Sequence, residues 1–259
     1  MRFAMGIEYD GSSFFGWQIQ NTYPSVQQVV EQAISSVANT NINVVCAGRT
    51  DTGVHAAEQV IHFDTDVERS DSAWLKGTNA NLPKSVSVLW VKPVTEQFHA
   101  RFSAETRRYR YIIFNREVRP AFLGGRVSWD YRQLDEIKMQ KAANTLLGEH
   151  DFNAYRTVAC QAKSPVRNLM RLDISRNNEL VFLDVEANAF LHHMVRNLAG
   201  VLMSIGAGEQ AISWAWEVLQ TRDRRSGGVT AAADGLYLMK VNYPVEFDLP
   251  QSPLSSAVW

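Results

Sequence analysis

The chain has only two cysteines in 259 residues, Cys46 and Cys160, and no CxxC pair. Thiols so few and so far apart exclude a disulfide framework and a zinc ribbon, and they suit a reducing compartment. An excess of charge is missing too: 26 Lys and Arg stand against 27 Asp and Glu, a formal net charge of -1. A surface coated in positive charge is thereby excluded, so a nucleic-acid partner would have to meet a local basic region. No apolar stretch is long enough to span a bilayer, and the N-terminal residues carry no signal-peptide h-region. The expectation is a soluble, cytoplasmic protein without a membrane partner. There is no GxxxxGK[ST] and no GxGxxG between a strand and a helix, which leaves nucleotide cofactors without support. A GxSxG elbow is lacking, and the dispersed histidines have no evident nucleophilic partner. No low-complexity segment interrupts the chain, and residues 250–259 are expected to be loosely held.

What is present is ordinary globular material, 46% hydrophobic and 20% charged, enough for one large domain or two smaller ones. Phe3, Met5, Ile7 and Tyr9 alternate with Arg2, Ala4, Gly6 and Glu8, which predicts a strand closed by Asp10-Gly11. Ser25 precedes Gln28 by three residues, a capping-box pattern, and Val26, Val29, Val30, Ala33, Ile34 and Val37 recur at helical spacing. Strands are expected through Ile42, Val44 and Val45 and through Val60, Ile61 and Phe63, then a shorter helix over 72–79 and a strand over 86–92. The second half repeats this order. A strand over 107–114 precedes a helix carrying Leu134, Ile137, Ala142, Leu146 and Leu147, stopped by Gly148. Strands over 166–175 and 180–187 are turned by Asn177-Asn178, and helices over 191–205 and 214–219 lead to a last strand over 236–241. Strand-helix-strand-strand-helix-strand, twice, is the split βαβ order. The pattern predicts an α+β fold of two ferredoxin-like halves, 1–102 and 103–259, whose sheets can join edge to edge with a cleft between them.

Three segments stand apart from the apolar periodicity. Gly48 and Gly53 bracket a tight connection that holds Arg49, Thr50, Asp51 and Thr52 at the end of a sheet, either as a plain turn or as a place for chemistry. Arg107-Arg108-Tyr109-Arg110-Tyr111 lies on a strand whose alternation puts the two tyrosines on one face and Arg108 and Arg110 on the other. Aromatics on a sheet face can stack a base and arginines can hold phosphate, as they do in RNA-binding modules. The plainer alternative is core tyrosines and solvated arginines, and for Tyr111 the core is favoured because Ile113 follows on its face. In the third segment, His192 and His193 are helical neighbours pointing apart, which disfavours a metal pair. Arg196 sits among Met194, Val195, Leu198 and Val201, where a half-buried cation needs a carboxylate. A further basic segment, Arg222, Arg224 and Arg225 before Gly227-Gly228, is either a solvated loop or a phosphate contact.

In order along the chain, Gly48-Arg49-Thr50-Asp51-Thr52-Gly53-Val54-His55, Arg107-Arg108-Tyr109-Arg110-Tyr111, His192-His193-Met194-Val195-Arg196-Asn197 and Gly235-Leu236-Tyr237-Leu238 closely resemble the tRNA pseudouridine synthase A family. The likeness runs from Gly6-Ile7-Glu8-Tyr9-Asp10-Gly11 through Gly16-Trp17-Gln18 to the last strand. It implies a cytoplasmic isomerase that converts uridine to pseudouridine at positions 38, 39 and 40 of the tRNA anticodon stem-loop. It also implies two lobes sharing a continuous antiparallel sheet, a central cleft, a homodimer, and neither cofactor nor metal. By match of motif, Asp51 is the catalytic carboxylate, Tyr109 the aromatic that stacks on the target base, and Arg196 the ion-pair partner of Asp51. Leu236 is an apolar wall, and Arg49 helps to hold the target nucleotide out of its stack. Thr52 stands where the family usually has alanine, which bears on the packing of the loop.

Overall fold

A computed structural model describes residues 1–250; most of the terminal segment expected to be loosely held, 251–259, lies outside the described residues. The chain divides into two compact units, Met1–Glu105 together with the described residues from Tyr237 on, and Thr106–Leu236. The fold is α+β: five α-helices and ten mostly antiparallel strands occur among the described residues.

The first unit contains β1 (Arg2–Tyr9), α1 (Val26–Ala38), β2 (Val45–Cys46), β3 (His55–Asp64), α2 (Asp71–Asn81) and β4 (Val86–Val94). Its strands lie in the order β4-β1-β3, with β2 on the far side of β3, all antiparallel, which is the split βαβ arrangement. Ser25 caps α1 by accepting the Gln28 N–H at 3.3 Å, and Asn39 ends it in the left-handed region at φ 53°. Val26, Val30, Ala33, Ile34 and Ala38 form its buried stripe. Ser70 caps α2 in the same way and leaves Trp74 wholly buried against Phe3 and Phe63, with ring centroids 5.7 and 5.4 Å away. The strand expected through Ile42, Val44 and Val45 shrinks to Val45–Cys46. The reason is visible in its donors: the Ile42 N–H bonds Ser35 Oγ and the Val44 N–H bonds Glu31 Oε1, each at 2.9 Å. Side chains of α1 intercept the hydrogen bonds a ladder would need.

The second unit contains β5 (Thr106–Asn115), β6 (Ser128–Asp130), α3 (Glu136–Asn144), β7 (Gly148–Asp151), β8 (Val166–Asn177), β9 (Leu180–Ala187), α4 (Met194–Gly206) and α5 (Trp214–Thr221). Its strand order is β5-β9-β8-β7, antiparallel, with β6 parallel to β5. The β8–β9 turn falls at Asn177-Asn178 as expected, Asn178 supplying φ 53°. Strands β6 and β7 were not expected, and two helices have other bounds than the sequence predicts. Helix α3 begins only after Asp135, whose carboxylate accepts the Ile137 and Lys138 N–H groups, and it ends before Leu146. Helix α4 begins at Met194 rather than near 191, because His193 takes the left-handed conformation at φ 63° just ahead of it. His192 and His193 therefore precede the helix instead of opening it as neighbours.

The last strand, β10 (Leu236–Asn242), departs from the expected division at 102/103, since from Tyr237 on it groups with the N-terminal unit. There Tyr237 and Leu238 pair with His55 and Ala56 of β3 in parallel, an exception to the expected antiparallel pattern. Aromatic burial accounts for the grouping. Tyr237 stacks on His55 at 4.6 Å, and beyond β10 the rings of Tyr243 and Phe247 each lie 5.1 Å from buried Phe98.

Buried His62 on β3 fixes the turn after β4 by accepting the Ala100 N–H at Nδ1, 3.0 Å away. Burial, helped by the charge of Arg2, lowers His62 to about 4. An unfolded histidine titrates near 6.5 and so takes up its proton first. The stability it contributes is complete above that pH and is lost as pH falls from 6.5 toward 4. In urea unfolding, going from pH 7 to pH 4.5 is expected to cost the wild type about 2 to 3 kcal/mol through this group. His62→Gln, which can still accept the Ala100 N–H, should lose that much less; equal losses in the two proteins rule His62 out.

Candidate active site

The loop from Ala47 to Val54 is held almost entirely through its backbone. The Ala47 N–H bonds Val60 O at 2.8 Å, and the Gln59 side chain bridges Gly48 by accepting its N–H and donating to its carbonyl at 2.6 Å. A second segment, 11–17, braces the other side. The Trp17 N–H bonds Thr50 O at 2.9 Å, the Gly53 N–H bonds Phe14 O at 3.3 Å, and the Thr50 and Tyr9 hydroxyls meet at 2.7 Å. Two glycines allow this approach. A Cβ on Gly11 would lie 2.0 Å from Val54 O, and one on Gly16, whose φ is +86°, would lie 2.7 Å from Thr50 O. Thr50 is buried and Asp51 half-buried, while Arg49 and Thr52 are exposed. Thr52 thus stands outside the loop's packing.

His55 closes the loop. Its Nδ1 accepts the Gly11 N–H at 3.0 Å, which fixes that nitrogen as unprotonated. Asp10 Oδ1 lies 3.3 Å from the same nitrogen, but the contact is no ion pair in this tautomer, and that oxygen accepts from the Ser12 N–H and hydroxyl. Neither His55 nor the bracing by 11–17 was anticipated. The only sequence signal was the pair of glycines at 11 and 16, one in a turn and one beside Trp17.

In the second unit, Arg107, Tyr109 and Tyr111 lie on the buried face of β5. Tyr111 is core, as favoured: it is wholly buried, donates to Ala232 O at 2.8 Å, and burial pushes its phenol far up. Tyr109 is 8% exposed and meets Phe190 edge-on at 5.0 Å. Arg108 and Arg110 follow neither sequence alternative. Both turn to buried Asp184 on β9, Arg110 through two bonds of 3.0 and 2.8 Å and Arg108 at 3.4 Å. Arg110 also lies over Phe182 at 5.2 Å.

Arg196 is half-buried on the first turn of α4, and its Nε donates to Ala231 O at 2.8 Å. Ala231 returns its own N–H to Arg196 O at 3.1 Å. The next residue, Ala232, accepts from Tyr111, and Gly235 O accepts the Ile112 N–H at 2.8 Å. Residues 231–236 thus run from Arg196 along β5 to buried Leu236, so the second unit gathers Arg196, the Tyr109 face and Leu236 along one segment. Arg224, expected in a solvated or phosphate-binding loop, points inward. Its Nη2 donates to Asn197 Oδ1, Gly228 O and Thr230 Oγ1 within 3.0 Å, while Arg225 pairs with Asp223 at 2.7 Å.

Residues 5–103 and 142–244 match the family model described as tRNA pseudouridine synthase. The matched spans include Arg49, Asp51, Arg196 and Leu236, and Tyr109 falls between them. A tRNA pseudouridine synthase A of Nitrosococcus oceani is 56% identical over 259 residues, covering 100% of both chains. The Coxiella burnetii protein of that name is 54% identical over 253 residues, 98% of this chain and 97% of its own. The Pseudomonas aeruginosa protein is 56% identical over 251 residues, 96% of this chain and 88% of its own. Among solved structures, a Cbf5-Nop10-Gar1 complex matches at TM-score 0.37 and 12% identity over 78% of this chain and 45% of that one, too weak a likeness to carry weight. Its sequence places the chain, over nearly its whole length, in the tRNA pseudouridine synthase family.

Proposed function

We propose that this chain isomerises uridine to pseudouridine in tRNA, at positions 38, 39 and 40 of the anticodon stem-loop, with Asp51 as the catalytic carboxylate. The observation that carries the reading is the presentation of Asp51: the peptide groups on both sides of it are pinned to 11–17. A pinned loop between strands holds a reacting group to a fraction of an ångström, which a solvated turn does not need.

The reaction breaks the bond between ribose and N1, turns the uracil, and joins C5 to the same ribose carbon. Atoms are conserved, so its balance requires no co-substrate. The base must first leave its stack, at a cost of a few kcal/mol. Asp51 then triggers cleavage as nucleophile or base, and either role requires the ionised form. Arg196 supplies the counter-charge, since a cation at ion-pair distance favours a carboxylate. Tyr109 stacks on the freed uracil, a contact worth roughly 1 to 3 kcal/mol, and Leu236 walls the base. Arg49, exposed beside Asp51, helps to hold the nucleotide out. Recognition rests on phosphates and tRNA shape, because neighbouring target positions share no single base sequence. The enzyme acts as a homodimer in the cytoplasm, without cofactor or metal, as the family resemblance implies.

The test uses tRNA carrying tritium at uracil C5, with a chelator present. Label is released when C5 forms its new bond. Wild type is expected to release it and Asp51→Ala to release none; active, folded protein that frees label from no tRNA sinks the proposal. Asp51→Asn should still bind tRNA within about tenfold of wild type, roughly 1.4 kcal/mol; failure to bind makes the residue structural. For Arg196→Met, unfolding at the wild-type temperature with label release lost is expected, and a full rate of release refutes the counter-charge role.

A further inference from the structure

The turn after β4 displays one aromatic ring outward from an unusually well fixed backbone. Every N–H from His99 to Ser103 has an acceptor within the first unit. The His99 N–H bonds Ser103 Oγ at 2.9 Å, the Ala100 N–H bonds His62, the Arg101 and Phe102 N–H groups both bond His99 Nδ1 at 3.2 Å, and the Ser103 N–H bonds His99 O at 2.9 Å. Phe98 and Ala100 are wholly buried, so the turn is anchored at its base, yet Phe102 is 76% exposed. Its ring leans on His99 at 4.3 Å, and the Arg101 guanidinium lies 5.5 Å from its centroid. Burial, with the charges of Arg2 and Arg101, lowers His99 and keeps it the neutral acceptor that this turn needs.

A single exposed apolar side chain is ordinary on a protein surface. Two features set Phe102 apart. A ring carried on a fixed backbone and resting against His99 has less freedom to lose on contact than one on a mobile loop, which favours a pre-formed binding surface. Its turn also lies near the candidate site: it is tied through the Ala100 N–H to His62 on β3, and β3 pairs at His62 and Ile61 with Val45 and Cys46, from which the Asp51 loop departs. Burial pushes the Cys46 thiol up to about 12, and the charges of Arg49 and Arg101 both oppose the rise. The charges of both residues are therefore felt at Cys46, at the foot of the loop that carries Asp51.

We propose that Phe102 is a stacking platform for an unpaired base of the RNA beside the target nucleotide, with Arg101 meeting the adjoining phosphate. Every base has a π-face, so a platform of this kind accepts different neighbours of the target. This rests on the reading that the substrate is tRNA.

The full chain is tested for binding to an unmodified tRNA transcript and for label release. Phe102→Ala is expected to weaken binding about five- to hundredfold, the loss of one stacked base. Phe102→Leu keeps apolar bulk without a π-face and should bind as poorly, whereas Phe102→Trp should bind as wild type. In Arg101→Ala, the dependence of affinity on salt should fall by about one phosphate contact. Thermal unfolding of all four variants should match wild type. If Phe102→Ala binds within twofold of wild type, or Phe102→Leu binds as well as Phe102→Trp, stacking at this ring is overturned while wild-type label release still upholds the reaction. Wild-type protein that neither binds nor modifies tRNA overturns both.

Discussion

The close approach of two backbone segments, 11–17 and 48–54, is the constraint on which the candidate site depends. It replaces side-chain packing with peptide groups in direct contact, and only residues without a Cβ can stand at the two nearest points, Gly11 and Gly16. Side chains can repack around an error of half an ångström. Peptide groups in mutual hydrogen bonds cannot, because a donor displaced that far loses its acceptor. The position of Asp51 is therefore inherited from β1 and β3, the strands from which these segments spring.

Basic residues, which a sequence reading naturally assigns to phosphate, divide into two groups. Arg107 bonds Asn188 O, Arg108 and Arg110 share Asp184, and Arg224 binds three oxygens around Asn197. These are internal ties in which fixed guanidinium forks satisfy buried acceptors. Arg49 and Arg101, by contrast, are exposed and flank the Asp51 loop. With formal net charge near zero, such local placement is what leaves an anionic partner a surface to meet.

Long elements were legible because their periodicity is local: the stripe and cap of α1, the alternation of β1 and β5, and the Asn177-Asn178 turn all act within a few residues. Strand β7 was not, since Gly-Glu-His-Asp has no apolar alternation to read, and β6 is only three residues long. Ile42 to Val45 misled because the acceptors that dissolve the strand, Ser35 and Glu31, lie one helix away. The site divides in the same manner. Its residue types stood out as a motif, but the acid that claims Arg110 is 74 positions distant and the glycine that admits Thr50 is 34 positions back, separations at which periodicity carries no information.

Histidine gives the scaffold a further property. His55, His62 and His99 each present an unprotonated Nδ1 to a backbone N–H, and together they brace the end of the Asp51 loop and the turn that carries Phe102. A neutral imidazole is suited to this task because it accepts without bringing a charge beside Asp51 or Arg101. Protonation turns the acceptor into a donor facing a donor, so the brace and the proton exclude each other. For His62 and His99 that exclusion appears as titration displaced toward acid, driven first by burial. Acid therefore acts on this protein by loosening the turns that these histidines hold. That loosening is felt in folding free energy, because the proton binds the unfolded imidazole more tightly than the braced one.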